Sequence, residues 1–117
     1  MTVLRIVPNL HARDPRALAA FYRDLFGLDI AMDMGWITTL ASNGSMKPQL
    51  SLMSEGGAGT DIPAISIEVD DVDGVHTAAQ RGGHEIVHPL TDEEWGVRRF
   101  FVRDPDGHLV NVLSHPS

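Results

Sequence analysis

Residues 97–114 read Val-Arg-Arg-Phe-Phe-Val-Arg-Asp-Pro-Asp-Gly-His-Leu-Val-Asn-Val-Leu-Ser. Largely apolar stretches lie on both sides of Asp104-Pro105-Asp106-Gly107, which is typical of two strands joined by a turn. Proline fixes φ in such a turn, aspartate hydrogen-bonds back to the backbone, and glycine takes the left-handed position. The stretch therefore predicts a β-hairpin with strands near Val97–Arg103 and His108–Leu113.

The residues before this hairpin predict a strand, a helix and a further strand. Alternating Ile65, Ile67 and Val69 indicate the first strand. Asp71 is placed to cap a helix that ends at Gly82-Gly83, and a short strand follows near Glu85–His88. The second half of the chain is thus predicted to be β-α-β-β-β.

The first half has the same order of elements. A strand is predicted from Leu4 to Leu10, and Asp14-Pro15 begins a helix whose apolar stripe ends at Gly27. Three strands are predicted to follow, near Asp29–Met34, Trp36–Ala41 and Gln49–Met53. The pattern β-α-β-β-β therefore occurs twice, which predicts an α+β fold of two βαβββ modules that must pack together.

Length, composition and charge limit the class of protein. The chain of 117 residues is enough for one domain, with a first module at about 1–54, a glycine-rich hinge, and a second module at about 62–117. The absence of cysteine excludes disulfides and thiolate metal sites. A net charge of −7 argues against nucleic acid and is compatible with a cationic ligand. With no apolar run of membrane-spanning length, we expect a cytoplasmic protein with no membrane partner.

Several motifs in this order resemble one known family. They are Phe21-Tyr22-Arg23-Asp24-Leu25-Phe26-Gly27-Leu28, then Val69-Asp70-Asp71-Val72-Asp73, then Trp95-Gly96-Val97-Arg98 leading to the turn at Asp104. Together they resemble the vicinal oxygen chelate superfamily, which includes glyoxalase I, extradiol dioxygenases and fosfomycin- and bleomycin-resistance proteins. The resemblance covers essentially the whole chain. It implies a cup-shaped mixed sheet with helices on the outer face, a ligand pocket inside, and commonly a homodimer.

The resemblance also locates four positions at which the metal enzymes of the superfamily carry ligands. Here they correspond to Val7, Ala64, Asn111 and a position near Ser51 or Met53. Valine and alanine donate no lone pair, and a neutral amide alone is a poor ligand. We therefore expect no metal and no other cofactor. The alternative is a displaced metal site that uses Glu55 and some of the six histidines, among which His84 and His88 share parity on one predicted strand.

Strand parity separates the residues that face the helices from those that face the cup. Leu4, Ile6, Ile65, Ile67 and Val69 are predicted to pack under the helices. The opposite face supplies a mixed aromatic and polar lining, which suits a planar or amphipathic small molecule. The predicted ligand-binding residues are Asn9, Trp36, Thr38, Ser51, Ser66, Trp95, Arg99, Phe101 and Asn111. The acidic residues 70–73 and 92–94 are interpreted as a helix cap and a polar loop, not as calcium sites.

Three hypotheses for function follow. The first is a metal-independent binding protein, similar to the bleomycin-resistance branch, that sequesters an aromatic or cationic ligand such as an antibiotic. This protein would have no catalytic residue and would form a two-fold homodimer with its pockets at or beside the subunit interface. The second is a metal-dependent lyase, isomerase or dioxygenase with a non-standard metal site. The third is a structural or regulatory dimer whose cup is filled by its own side chains.

Overall fold

A computed structural model of the protein describes residues 1–44 and 48–116. Its elements are β1 Val3–His11, α1 Pro15–Phe26, β2 Asp29–Asp33, β3 Ile37–Ala41, β4 Gln49–Met53, β5 Ile65–Val69, α2 Val72–Arg81, β6 Ile86–Asp92, β7 Arg98–Arg103 and β8 Leu109–Ser114. The predicted α+β class and the twofold βαβββ order are confirmed. Neither helix of the described residues is long and apolar enough to cross a membrane.

The chain divides into two compact units. The N-terminal unit is Val7–Ile62, and the C-terminal unit combines Pro63–Ser117 with Met1–Ile6, so that β1 contributes to both. In the N-terminal unit the strand order is β2-β3-β4-β1, with β1 and β4 parallel. In the C-terminal unit the order is β5-β8-β7-β6, with β5 and β8 parallel. The other neighbouring pairs within these two sets are antiparallel.

The glycine-rich segment predicted as a hinge is a hydrogen-bonded turn inside the N-terminal unit. The Gly56 amide donates to the Thr60 carbonyl at 2.8 Å, and the Glu55 carboxylate accepts from the Gly59 amide at 2.8 Å. Glycine is required at position 56 because a Cβ there would overlap the backbone of Asp61. These contacts hold the loop in a defined local conformation.

Each helix begins and ends where the sequence predicted. The Asp14 side chain accepts from the Ala17 amide before α1, and Gly27 ends that helix with a φ of 69°. The Asp71 side chain accepts from the Gly74 amide at 3.0 Å before α2. Satisfying these otherwise unpaired amides stabilises the first turn of each helix.

The two helices pack mainly on different strands. In the N-terminal unit α1 lies on β3 and β4, and in the C-terminal unit α2 lies on β6, β7 and β8. The second of these contacts buries Val69, as strand parity predicted, together with Phe100 and Val112. Leu4 and Ile6 are different, because they remain 57% and 58% exposed. The prediction that they pack under a helix is wrong, since the helices cover other strands.

The hairpin that joins β7 to β8 has the predicted turn. Asp104 Oδ1 accepts from the Asp106 amide at 3.0 Å and from the His108 amide at 2.8 Å, and Gly107 has a φ of 90°. Hydrogen bonding from the His108 amide, supported by the His108 ring and outweighing burial, lowers the pKa of Asp104. The ionised carboxylate therefore organises this turn.

The first prediction concerns the pH dependence of this turn. Because the folded-state pKa of Asp104 is lowered, its stabilising effect is present above its unfolded pKa, near pH 4, and is lost as the pH falls through the folded value. Replacing Asp104→Asn should therefore lower the urea midpoint at pH 6. The difference from the unmodified protein should shrink in urea titrations carried out between pH 4 and pH 2. A difference that stays constant over this range would contradict the assignment.

Candidate functional site

A row of functional side chains crosses the C-terminal sheet on the face turned away from α2, which we call the open face. Strand register aligns Ser66 with Asn111, Asn111 with Phe101, and Phe101 with His88. Side chains alternate between the two faces of a strand, and the neighbours of this row pack toward α2. Three of these four residues, all but His88, were predicted ligand-binding residues.

Asn111 and Ser66 form the first polar pair of the row. The Asn111 amide nitrogen donates to the Ser66 hydroxyl at 3.0 Å. This bond orients the amide, and Asn111 Oδ1 is then buried without a hydrogen-bond partner among the described residues. An unpaired buried acceptor costs free energy, about 1 to 3 kcal/mol, unless a ligand or water satisfies it.

Arg99 lies next to this row, between two aromatic rings. Its guanidinium carbon is 4.9 Å from the centre of the Trp95 ring and 4.7 Å from that of Phe101. Such cation–π contacts contribute roughly 0.5 to 2 kcal/mol each, the larger value applying where water is excluded. Phe101 is only 1% exposed, so it forms the floor of this cluster, and the partly exposed Trp95 forms its rim.

A buried carboxylate balances the Arg99 charge. Glu93 Oε2 accepts from Arg99 Nε at 3.0 Å and from Arg99 Nη2 at 2.7 Å. The two side chains are only 2% and 6% exposed for Arg99 and Glu93 respectively. Burial lowers the pKa of Arg99, although Glu93 opposes the shift. The arrangement is a desolvated ion pair, in which loss of one charge leaves the opposite charge buried without its counter-ion.

Glu93 and Trp95 both reach the open face from one short turn. The Glu93 amide donates to the Val97 carbonyl at 2.8 Å, and the Gly96 amide donates to the Glu93 carbonyl at 3.2 Å. Gly96 has a φ of 89°, which permits the tight reversal. The interpretation of residues 92–94 as only a polar loop is therefore wrong for Glu93. The missed signal is that β6 continues past Pro89 to Asp92, which brings the next residue beside Arg99.

His88 completes the row at the other edge of Phe101. The two rings have their centres 5.2 Å apart. His88 Nε2 is 3.8 Å from Glu93 Oε1, beyond hydrogen-bond distance, and it is buried without a hydrogen-bond partner among the described residues. The prediction that His84 and His88 share one strand is wrong. His84 precedes β6, and its amide donates to the Ala79 carbonyl at the end of α2.

A second charged cluster on the open face consists of Glu68, Arg5 and His115. Glu68 accepts from Arg5 Nε and, through its other carboxylate oxygen, pairs with His115 Nδ1 at 2.8 Å. Burial alone would raise the pKa of Glu68, but the bonds from His115 and Arg5 outweigh it and lower the pKa. Glu68 is therefore held as a carboxylate that already has two partners.

The remaining predicted residues lie in the N-terminal unit. Asn9 pairs in register with Ser51, whose hydroxyl lies 2.9 Å from that of Thr39, so the buried polar neighbour missed by sequence reasoning is Thr39. Thr38 alternates with Thr39 and shares a face with Leu40, which packs against α1. Its predicted placement on the cup face is therefore wrong. Trp36 precedes β3 and is partly exposed.

The superfamily's metal positions do not fit a metal in this chain. Val7 and Ala64 carry hydrocarbon side chains, and the Asn111 amide is oriented by Ser66. Among residues 1–44 and 48–116, no group of three histidine, cysteine, aspartate or glutamate side chains is arranged to hold a metal ion.

Glu55 and three of the histidines that were considered for a displaced metal site make other contacts in the structure. Glu55 holds the Gly59 amide. His76 packs edge-on against Phe100 with ring centres 4.9 Å apart, and His108 Nδ1 is 3.0 Å from the Asp104 carboxylate. His115 binds Glu68. These contacts explain the residues without a metal.

Structural comparison finds solved proteins with the same fold at low sequence identity. One is described as an NAD-dependent benzaldehyde dehydrogenase from Legionella pneumophila, with 15% identity and a TM-score of 0.77 over 96% of this chain and 100% of that one. Another is a methylmalonyl-CoA epimerase variant from Streptomyces coelicolor in complex with 2-nitronate-propionyl-CoA, with 18% identity and a TM-score of 0.74 over 99% and 100%. At these identities the likeness concerns the fold alone.

A third structure is described as a glyoxalase/bleomycin resistance protein/dioxygenase superfamily member from Vibrio splendidus. It has 20% identity and a TM-score of 0.67 over 97% of this chain and 99% of that one. A search of curated proteins gives no significant match. The family model "Glyoxalase/Bleomycin resistance protein/Dioxygenase superfamily" matches residues 5–112, nearly the whole chain and both βαβββ modules. The chain belongs to the glyoxalase/bleomycin resistance protein/dioxygenase superfamily.

Proposed function

We propose that the open face of the C-terminal unit binds a small organic molecule without a metal. One observation carries the proposal: Asn111 Oδ1 and His88 Nε2 are both buried without a hydrogen-bond partner among the described residues, and they flank Phe101 on one face of the sheet. Two unpaired buried polar atoms in one row would be a net cost to folding. A ligand that hydrogen-bonds to both would remove that cost.

The surroundings of these atoms support an aromatic or heteroaromatic ligand. Trp95 is partly exposed at the rim, and Arg99 lies beneath its ring. Such a site offers one aromatic surface for stacking and a few fixed polar atoms for orientation, the usual composition of small-molecule sites. Asn111 and His88 lie on the strands either side of β7, so a ligand that reaches both would lie over the Phe101 ring.

Sequestration is the activity that this site supports best. Binding alone lowers the free concentration of a ligand and requires no bond to be made or broken. If the ligand is a toxic natural product, sequestration would give resistance, as proposed from the resemblance to bleomycin-resistance proteins. A metal-dependent lyase, isomerase or dioxygenase has less support, because the positions that would hold the metal carry Val7, Ala64 and Asn111.

The homodimer also remains a proposal, with a second copy of this chain as the partner. On α1, Phe21 and Leu25 lie one turn apart and are 55% and 63% exposed, and Phe26 is exposed at the end of the helix. A contiguous exposed apolar surface of this kind marks an interaction site more often than free surface. A closed two-fold pairing is the commonest way in which a chain covers such a surface with its own copy.

The second prediction tests the binding site. In the Asn111→Leu variant, neutral aromatic amides such as benzamide should bind about tenfold more weakly, because a hydrogen bond to a buried acceptor contributes about 1.4 kcal/mol. Quenching of Trp95 fluorescence and the ligand-dependent rise in Tm measure the affinity. The exposed Asn43→Leu change is the matched control and should leave the affinity unaltered. Equal affinity in both variants would remove Asn111 from the site.

The third prediction tests metal independence. The purified protein should contain no stoichiometric Zn, Ni, Mn or Fe, and chelators should change neither its Tm nor its affinity for benzamide. Elemental analysis after dialysis measures the first, and thermal unfolding with and without chelator measures the second. One metal ion per chain that survives dialysis would favour the enzyme alternative.

The fourth prediction tests self-association. Light scattering at micromolar concentration should give about twice the chain mass of 12.8 kDa. Leu25→Glu should reduce the mass to that of one chain, since it places a charge in the apolar surface of α1. The exposed Ala20→Glu change, on another side of the same helix, adds the same charge and should leave the dimer intact. A monomeric unmodified protein would overturn the proposal.

A further inference from the structure

The charges of the open face decide which ligands it accepts. An arginine in a small-molecule site ordinarily suggests recognition of a carboxylate or phosphate. Arg99 is instead paired with Glu93. Its Nε and Nη2 groups both donate hydrogen bonds to the Oε2 atom of Glu93. Both side chains are almost fully buried, so water does not screen this pair, and an incoming anion would meet the Glu93 carboxylate at close range.

The other arginines of this face have carboxylate partners too. Arg5 is paired with Glu68, and Glu68 also holds His115. Arg103 lies 3.7 Å from the Glu85 carboxylate and donates to the Gly107 carbonyl at 3.0 Å. Each of the three arginines described on this face is therefore matched by a carboxylate within the same unit, and together these pairs add no net positive charge toward a ligand.

From this pairing we infer that the site selects neutral or cationic ligands that carry N–H or O–H donors, and rejects carboxylates and phosphates. The inference rests on the proposed function and names the chemical class of its ligand. The acceptors that would receive the donors are Asn111 Oδ1 and Glu93 Oε1, the carboxylate oxygen that Arg99 does not take.

The space between Glu93 and His88 indicates how one polar group fits. Glu93 Oε1 and His88 Nε2 are 3.8 Å apart, too far for a direct hydrogen bond. A single ligand nitrogen or oxygen that lies about 2.8 Å from each can bridge them. A ligand amide or hydroxyl donates to Glu93 in this position and also contacts the imidazole, whereas a carboxylate has no proton to donate.

Two probes of nearly the same shape test the inference. Benzamide is neutral and carries N–H donors, and benzoate is an anion without them at pH 7. In the unmodified protein, benzamide should bind at least tenfold more tightly than benzoate, measured by tryptophan fluorescence and calorimetry at fixed ionic strength. Benzoate binding as tight as that of benzamide would overturn the inference and leave the proposed binding function intact. If neither probe binds, both the inference and the proposed binding function are wrong.

A variant pair tests the role of the ion pair. Glu93→Gln removes the carboxylate charge beside Arg99, so benzoate should gain at least tenfold in affinity relative to benzamide. Asp92→Asn removes the same charge from the adjacent, largely exposed position and should leave the ratio unchanged. A folded Glu93→Gln protein with an unchanged ratio would overturn the inference. If that variant does not fold, the comparison in the unmodified protein decides.

Discussion

The buried pair of Arg99 and Glu93 is the interaction on which the candidate site depends. Removing two charges from water is costly, and the cost is offset only when the partners bond closely and the surroundings are fixed. Here the guanidinium is held between Trp95 and Phe101 while it donates twice to one carboxylate oxygen. The pair therefore fixes Glu93 and the turn that carries Trp95. Because Arg99 covers one side of the Trp95 ring, a ligand is proposed to lie on the other side.

The β7–β8 hairpin makes this arrangement possible. Asp104 and Gly107 set the turn, and the turn sets the register that aligns Phe101 with Asn111 and Arg99 with Leu113. A shift of one residue would move Arg99 to the face that packs on α2 and would bring Phe100 to the open face. The local chemistry of four turn residues thus determines which side chains form the site and which form the core.

Much of this could be predicted from the sequence because the determining signals are local. Capping aspartates, terminating glycines and period-two alternation located both helices and the eight strands. Parity placed Ser66 and Phe101 on one face, and the superfamily resemblance placed Asn111 there. Glu93 and His88 were not predicted as ligand-binding residues, for a different reason. Pro89 and the register irregularities of β6 obscure the alternation there, so the strand looked shorter than it is. Burial of a carboxylate by an arginine on another strand is a property of tertiary packing, which local patterns do not encode.

Thr38 and Leu4 show the limits of parity itself. Thr38 was predicted to face the cup, but it shares a face with Leu40, which packs on α1. For Leu4 the error was to expect that a helix covers its face of the sheet. Leu4 is exposed because the helices lie mainly over other strands. Periodicity predicts that a residue shares a face with its neighbours, but not whether another element covers that face.

Asn111, His88 and the rim residue Trp95 are proposed to form one ligand site on the open face. Nitrogen-15 NMR of the full chain tests it directly, by following the Asn111 side-chain amide, the His88 imidazole and the Trp95 indole N–H during a titration with benzamide. If the three residues form one site, all three signals should shift saturably with one shared dissociation constant. Benzamide binding that raises the Tm while these three signals stay unmoved would contradict it.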